Sequence, residues 1–299
     1  MRAQLAYGVR LEGEIPVDGL PVACGSELAT VKVVMEQPSS GTQREILAPP
    51  DAEFLVRGRP LSLRVNGGLE IRWHGVATFR WTVGEALIKC EREPGGSLAQ
   101  VQHLFLQYAL PLHLLVERRL QFLHGGAVQI GAHAVGFLAP SGAGKSTLAE
   151  YFLRRGHGFL ADDKLAVVCR RQQFMAVPST PLYSIDEAKE RSNRAANFVT
   201  CPLPLAVLYL LVPVDRAANP VISPVRTAEA PLALARRCEL ELPPRVRQRL
   251  QLPPLVAQRF HDCSALASVV RVSRLCVPRD RSRLPEVYDL IITDIGGSV

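Results

Sequence analysis

Phe137-Leu138-Ala139-Pro140-Ser141-Gly142-Ala143-Gly144-Lys145-Ser146, closed further on by Asp162-Asp163, is the stretch on which the fold turns. It reads as a buried strand, a glycine-rich loop, a helix over residues 144–155 and a second short strand over 158–161 that ends in two carboxylates. Glycines let successive backbone N–H groups turn inward around a phosphate, and the following helix adds the positive end of its dipole. The Walker A pattern asks for Gly, four residues, then Gly-Lys-Ser/Thr. Here Ala139 takes the first position, while Gly142 and Gly144 keep the close approach. Ser141, Gly142, Ala143, Gly144, Lys145, Ser146 and Thr147 are therefore the expected nucleotide cradle. In it, Lys145 reaches the β- and γ-oxygens and the Ser146 hydroxyl ligates magnesium. ATP and Mg2+ are the cofactors this pattern predicts.

In a parallel sheet the C-terminal end of the 158–161 strand opens on the side of the glycine loop. One carboxylate would hold the metal and the other would take a proton from an attacking hydroxyl. Neighbouring residues on an extended chain point to opposite sides, so Asp162 and Asp163 are expected to divide these tasks. The plainer alternative is an Asp-Asp turn between two strands. Upstream, His124 is followed by Gly125-Gly126, which indicates close approach by another group. Taken alone it reads more readily as a core or edge histidine than as a catalytic one.

Working outward, residues 1–97 are expected to form a β-rich domain and 98–299 the α/β P-loop kinase domain. Short apolar runs at 30–35, 53–56, 61–65, 69–73 and 77–81 sit between Pro, Gly, Asn and Asp. Asn66-Gly67 marks a hairpin. The first domain is read as a docking or oligomerisation module, or as plain β-scaffold. Residues 98–119 should be a long helix kinked before Pro111. Gly156 should cap the loop's helix. Strands are expected at 165–169, 174–177 and 269–277, a polar helix at 185–194 and a final helix at 283–295. Residues 206–212 form an apolar run suited to a strand buried on both faces.

Seven cysteines, scattered and without a C-x-x-C pair, point to buried free thiols in a reducing cytoplasm. No apolar run reaches the roughly 20 residues of a membrane span, and the N-terminus has no apolar signal region. Residues 1–98 hold 11 basic against 12 acidic side chains, and the remainder 24 against 16. No nucleic-acid recognition motif accompanies that basic excess, so neither membrane nor nucleic acid is an expected partner.

His124-Gly125, the loop 141–146, Arg155-Gly156-His157 and Leu160-Ala161-Asp162-Asp163 together resemble the kinase domain of HPr kinase/phosphorylase. The tail Pro278-Arg279-Asp280 with Leu284-Pro285-Glu286-Val287 is more similar to HPr-kinase-related proteins, some of which accompany peptide-modifying pathways. The resemblance implies a C-terminal kinase domain of that type, with phosphoryl transfer to a serine on a protein or peptide partner. It implies Lys145 on phosphate, Ser146 and Asp163 at the metal, Asp163 as general base and His124 in support. The family's later metal-binding glutamate has no matching Glu-Ile-Arg-Gly signature here; Glu187 is the nearest candidate. Two other readings stay open: a small-molecule kinase of the shikimate type, and a non-catalytic ATP-binding switch. Homo-oligomerisation is also open.

Overall fold

The computed structural model describes residues 3–15, 17, 19–23, 28–37, 49–56, 59–183, 193–238, 242–252 and 255–296. The chain is α/β and divides into two compact units, Met1–Leu120 with Leu240–Gln258, and Gln121–Glu239 with Arg259–Val299.

The first unit carries β1 (Gln4–Ala6), β2 (Val9–Gly13), β3 (Thr30–Glu36), β4 (Ala52–Val56), β5 (Arg59–Val65), β6 (Gly68–Trp73), β7 (Ala77–Thr82) and β8 (Leu87–Arg92). They form one mixed sheet in the order β1-β2-β3-β8-β7-β6-β5-β4. The five expected runs are strands β3 to β7. Val65 pairs with Leu69 across the predicted hairpin, and Gly67 takes the positive φ of 66° that the turn requires. Period-2 alternation gives the sheet one apolar face, with Leu69, Ile71, Trp73, Phe79 and Trp81 buried. Arg80 and Glu70 point the other way, paired in register.

The helix expected to open the second domain belongs to the first unit instead. Its aromatic face meets the sheet: Tyr108 lies against Trp73, Phe105 against Phe79 and His113 edge-on to Trp81. The boundary expected at 97 and 98 therefore gives way to one after Leu120. This helix is α1 (Leu98–Leu104), a π-helical turn at Phe105–Ala109 and α2 (Leu110–Arg118). Pro111 offers no N–H to the carbonyl of Gln107 and its ring crowds it. The widened turn is where that conflict is absorbed.

The second unit opens with β9 (Gln121–Ile130), β10 (His133–Leu138), α3 (Lys145–Arg154), β11 (Gly158–Ala161), β12 (Lys164–Arg170) and β13 (Gln173–Val177). A two-residue ladder, β14 (Leu182–Tyr183) with β15 (Asn193–Arg194), takes the last residues of the expected polar helix; most of that segment lies outside the described residues. Then come β16 (Leu203–Val214), β17 (Val221–Pro224) and α4 (Ala230–Ala235). After α5 (Pro244–Arg249), which belongs to the first unit, follow α6 (Leu255–Val269), β18 (Arg271–Pro278) and α7 (Leu284–Gly296). α6 claims Val269, which delays the last strand by two residues from its expected start.

The strands β10, β16 and β18 are parallel neighbours. Val207, Tyr209 and Leu211 pack with Leu148 and Phe152 of α3 and Ile291 of α7 on one face. Leu208 and Leu210 pack with Leu234 of α4 and Leu266 of α6 on the other. The apolar run near 206–212 is thus buried on both faces, as its composition demands. Of the six described cysteines, Cys90 and Cys263 are buried as expected, whereas Cys169 and Cys201 are exposed. No helix among the described residues is long and apolar enough to cross a membrane.

Candidate functional site

β9 organises the site by changing partners midway. Its first residues, to His124, pair with β12, and from Gly125 onward it pairs with β10 on one edge and β11 on the other. Gly125-Gly126 marks the exchange, and both positions leave little room for a side chain. A Cβ on Gly125 would lie 2.7 Å from the Phe137 carbonyl oxygen, and one on Gly126 3.0 Å from the carbonyl oxygens of Ala161 and Asp162. The close approach inferred from His-Gly-Gly is that of the two strands that carry the glycine loop and the aspartates.

Those strands are not adjacent. β10 and β11 are each antiparallel to β9, so they run in the same direction with β9 between them. Their C-terminal ends consequently open at one edge, which brings the two motifs together as a direct parallel pairing would. α3 links them and ends in the expected glycine cap. The N–H of Gly156 donates to Leu153 O at 2.9 Å and that of His157 to Phe152 O at 3.2 Å, with Gly156 at φ 88°.

In the loop, Gly142 and Gly144 take φ 77° and 93°, a region other residues enter only with strain. Ser141 and Gly142 are exposed, Ala143, Ser146 and Thr147 half-buried, and Ala139 and Lys145 buried. Lys145 donates to the carbonyls of Ala139 at 2.8 Å and Pro140 at 3.1 Å, and meets His124 Nε2 at 2.9 Å. An ammonium can only donate, so Nε2 accepts and the proton of the neutral ring rests on Nδ1. That atom faces Asp163, 3.7 Å from Oδ1, too long for a hydrogen bond but close enough for charge to act.

The Ser146 hydroxyl donates to Asp162 Oδ1 at 2.7 Å. The two carboxylates are thereby set apart. The carboxylate beside the Ser146 hydroxyl is that of Asp162, whereas Asp163, expected at the metal as well as in base chemistry, faces His124. The cause is the alternation of an extended chain, which sends the two carboxylates apart. Glu187 lies outside the described residues. Among the described residues no three His, Cys, Asp or Glu side chains gather into a metal cluster.

Two cations the sequence reading passed over also belong here. Lys164 is buried and is the register partner of His124 on β12. Arg237 accepts the His124 N–H through its carbonyl at 2.6 Å. Neither sits in a motif, and Arg237 arrives through a pairing across more than a hundred residues.

No protein-family profile matches the chain, and no curated protein does. Among solved structures, the HPr(Ser) kinase/phosphatase from Coxiella burnetii is similar at 14% identity and a TM-score of 0.37, over 60% of this chain and 98% of that one. The likeness is a distant structural one.

Proposed function

We propose that this chain is an ATP- and Mg2+-dependent phosphotransferase that acts on a serine hydroxyl of a protein or peptide. One observation carries the reading. The loop's lysine and serine each engage one half of the acidic doublet, Lys145 through His124 toward Asp163 and Ser146 directly to Asp162.

The residues suit the absent groups. Ser146 and Asp162 offer hard oxygens, the donors magnesium prefers, and magnesium commonly takes only one or two protein ligands beside phosphate and water. The positive φ of Gly142 and Gly144 suits a backbone that turns N–H groups toward an anion. ATP would supply the phosphoryl group, and magnesium would offset its charge.

The chain's own groups do the rest. Lys145 exchanges the carbonyls of Ala139 and Pro140 for phosphate oxygens. Asp163 orients the acceptor hydroxyl and receives its proton. His124, with its proton on Nδ1, steadies the Asp163 carboxylate while its Nε2 keeps Lys145 in line.

The test is label transfer from γ-labelled ATP to serine peptides, with and without magnesium. Magnesium-dependent phosphoserine is the expected result. Label on a small hydroxyl compound instead would favour a small-molecule kinase. Tight ATP binding without turnover in the presence of every acceptor would favour a switch and overturn the kinase reading.

A further inference from the structure

The apolar core behind His124 holds a pair of thiols that the proposed chemistry does not use. Cys238 and Cys263 lie with their sulfurs 3.7 Å apart. Both pack on the core that contains Leu123, Leu234 and Leu266. Cys238 follows α4, where its N–H donates to Ala235 O at 3.3 Å and its thiol to Leu234 O at 3.7 Å. Cys263 sits inside α6 and is 1% exposed, while Cys238 is half-buried.

This arrangement suits bond formation. A disulfide holds its sulfurs about 2.05 Å apart, and two thiols already in van der Waals contact reach that by a short approach. Access sets the order of events, because an oxidant from solvent meets Cys238 before Cys263. The neighbouring Cys238 sulfur and burial hold the Cys263 thiol's pKa well above its ordinary value, which keeps it from attacking an oxidant itself.

The backbone that carries Cys238 is also the edge support of His124. Cys238 forms an antiparallel bridge with Leu123, and the Arg237 carbonyl beside it accepts the His124 N–H at 2.6 Å. His124 in turn meets Lys145 and faces Asp163. Drawing Cys238 toward α6 therefore pulls on the residue between the loop lysine and the acidic doublet.

We propose that Cys238 and Cys263 are an oxidation site for hydrogen peroxide, and that their disulfide slows phosphotransfer by shifting His124. The second half rests on the function proposed above, and the first does not. The Cys238 thiolate attacks one peroxide oxygen, the O–O bond breaks and water leaves, which gives a sulfenic acid. The Cys263 sulfur then attacks the Cys238 sulfur, the S–O bond breaks and a second water leaves as the disulfide forms. The two thiols lose two electrons and two protons, and the peroxide takes them up.

The first arm treats the reduced full chain with hydrogen peroxide, blocks the remaining thiols in acid and maps its peptides without reductant. A peptide pair joined through Cys238 and Cys263, lighter by two hydrogens and parted by a thiol reductant, is the expected product. Cys263→Ala should stop at a Cys238 sulfenic acid that dimedone traps, and Cys238→Ala should leave Cys263 unmodified. If peroxide modifies only the exposed Cys169 and Cys201, or joins the pair only in urea, the oxidation site falls. In the second arm, the oxidised native chain should transfer phosphate on the order of tenfold more slowly and recover on reduction. Cys263→Ala, which cannot close the bond, should keep most of its rate through the same treatment. A joined chain with unchanged transfer would overturn the coupling to His124. A reduced native chain that transfers no phosphate would overturn the function proposed above, and the first arm would still decide the thiol site.

Discussion

In the first unit Arg80 lies among Glu70 at 2.8 Å, Glu91 at 3.0 Å and Glu36 at 3.4 Å. In the second unit Lys145 donates to two carbonyls and an imidazole, and the buried Nε of Arg237 has no hydrogen-bond partner. Arg80 lies on β7 whereas Lys145 opens α3, and both are hydrogen-bonded in detail. They differ in what their cations meet. Around Arg80 the opposite charges meet directly across the sheet face. Around Lys145 two backbone carbonyls and the His124 ring accept, and Asp163 lies beyond that ring.

The contrast is broken most directly at Lys145. Lys145→Met should lower phosphotransfer on the order of a thousandfold, since the loop then lacks the charge that meets the phosphates. Magnesium-dependent ATP affinity should fall with it, by calorimetry. A variant that binds and turns over ATP as the native protein does would show that Lys145 is a loop strut.

A finer division separates the two aspartates. Asp163→Asn should cut transfer on the order of a hundredfold or more while sparing Mg-ATP affinity, as loss of a general base would. Asp162→Asn should instead weaken ATP binding in magnesium and leave binding without magnesium unchanged. Equal loss of both properties in both variants would refute the split that the Ser146–Asp162 and His124–Asp163 pairings suggest.

How much of this was legible in the sequence follows from the range over which each contact acts. The glycine loop, its helix, the Gly156 cap and the aspartates lie within one short supersecondary unit, where local turn chemistry dictates geometry, and they fell where expected. His124 was flagged by its two glycines, because only a close strand approach explains both. The pairing of β11 with antiparallel β9 rather than β10 was not legible, since β10 and β11 point alike in either case. Arg237 was beyond reach, because nothing local marks a residue whose partner lies on a distant strand. The 98–118 helix was assigned to the wrong unit for a similar reason. Its apolar pattern announces burial without saying against which sheet.

His113 sharpens the comparison from the side of stability. It is fully buried against Trp81, and neither ring nitrogen has a hydrogen-bond partner. Burial, with a smaller push from Arg118, lowers its pKa to about 4. The unfolded chain has it near 6.5, so the unfolded state binds the extra proton first. Stability contributed by the neutral ring is therefore whole above about pH 6.5 and is lost as pH falls toward 4, in total on the order of 3 kcal/mol. Both tryptophans, Trp73 and Trp81, lie in the first unit, so fluorescence-monitored urea unfolding reads this unit directly. His113→Phe should flatten the slope between pH 6.5 and 4.5. An unchanged slope would mean that the ring is already hydrated in the fold.

Arg80 gives the smallest effect, and the one that tests the meaning of saturated charge. Replacing it with Met leaves Glu36, Glu70 and Glu91 facing one another across β3, β6 and β8. The side chain is 40% exposed, so water screens much of that repulsion, and each such pair contributes a few tenths of a kcal/mol to about 1. Arg80→Met should accordingly lower unfolding stability by about 1 kcal/mol, and raised salt should shrink the difference, since exposed charges are screened within about 10 Å at 0.1 M. Phosphotransfer should not change, because the charges in this region are already matched to each other. If the variant keeps its stability but loses transfer, that face is not scaffold, and the contrast between the two regions would fail at its clearest example.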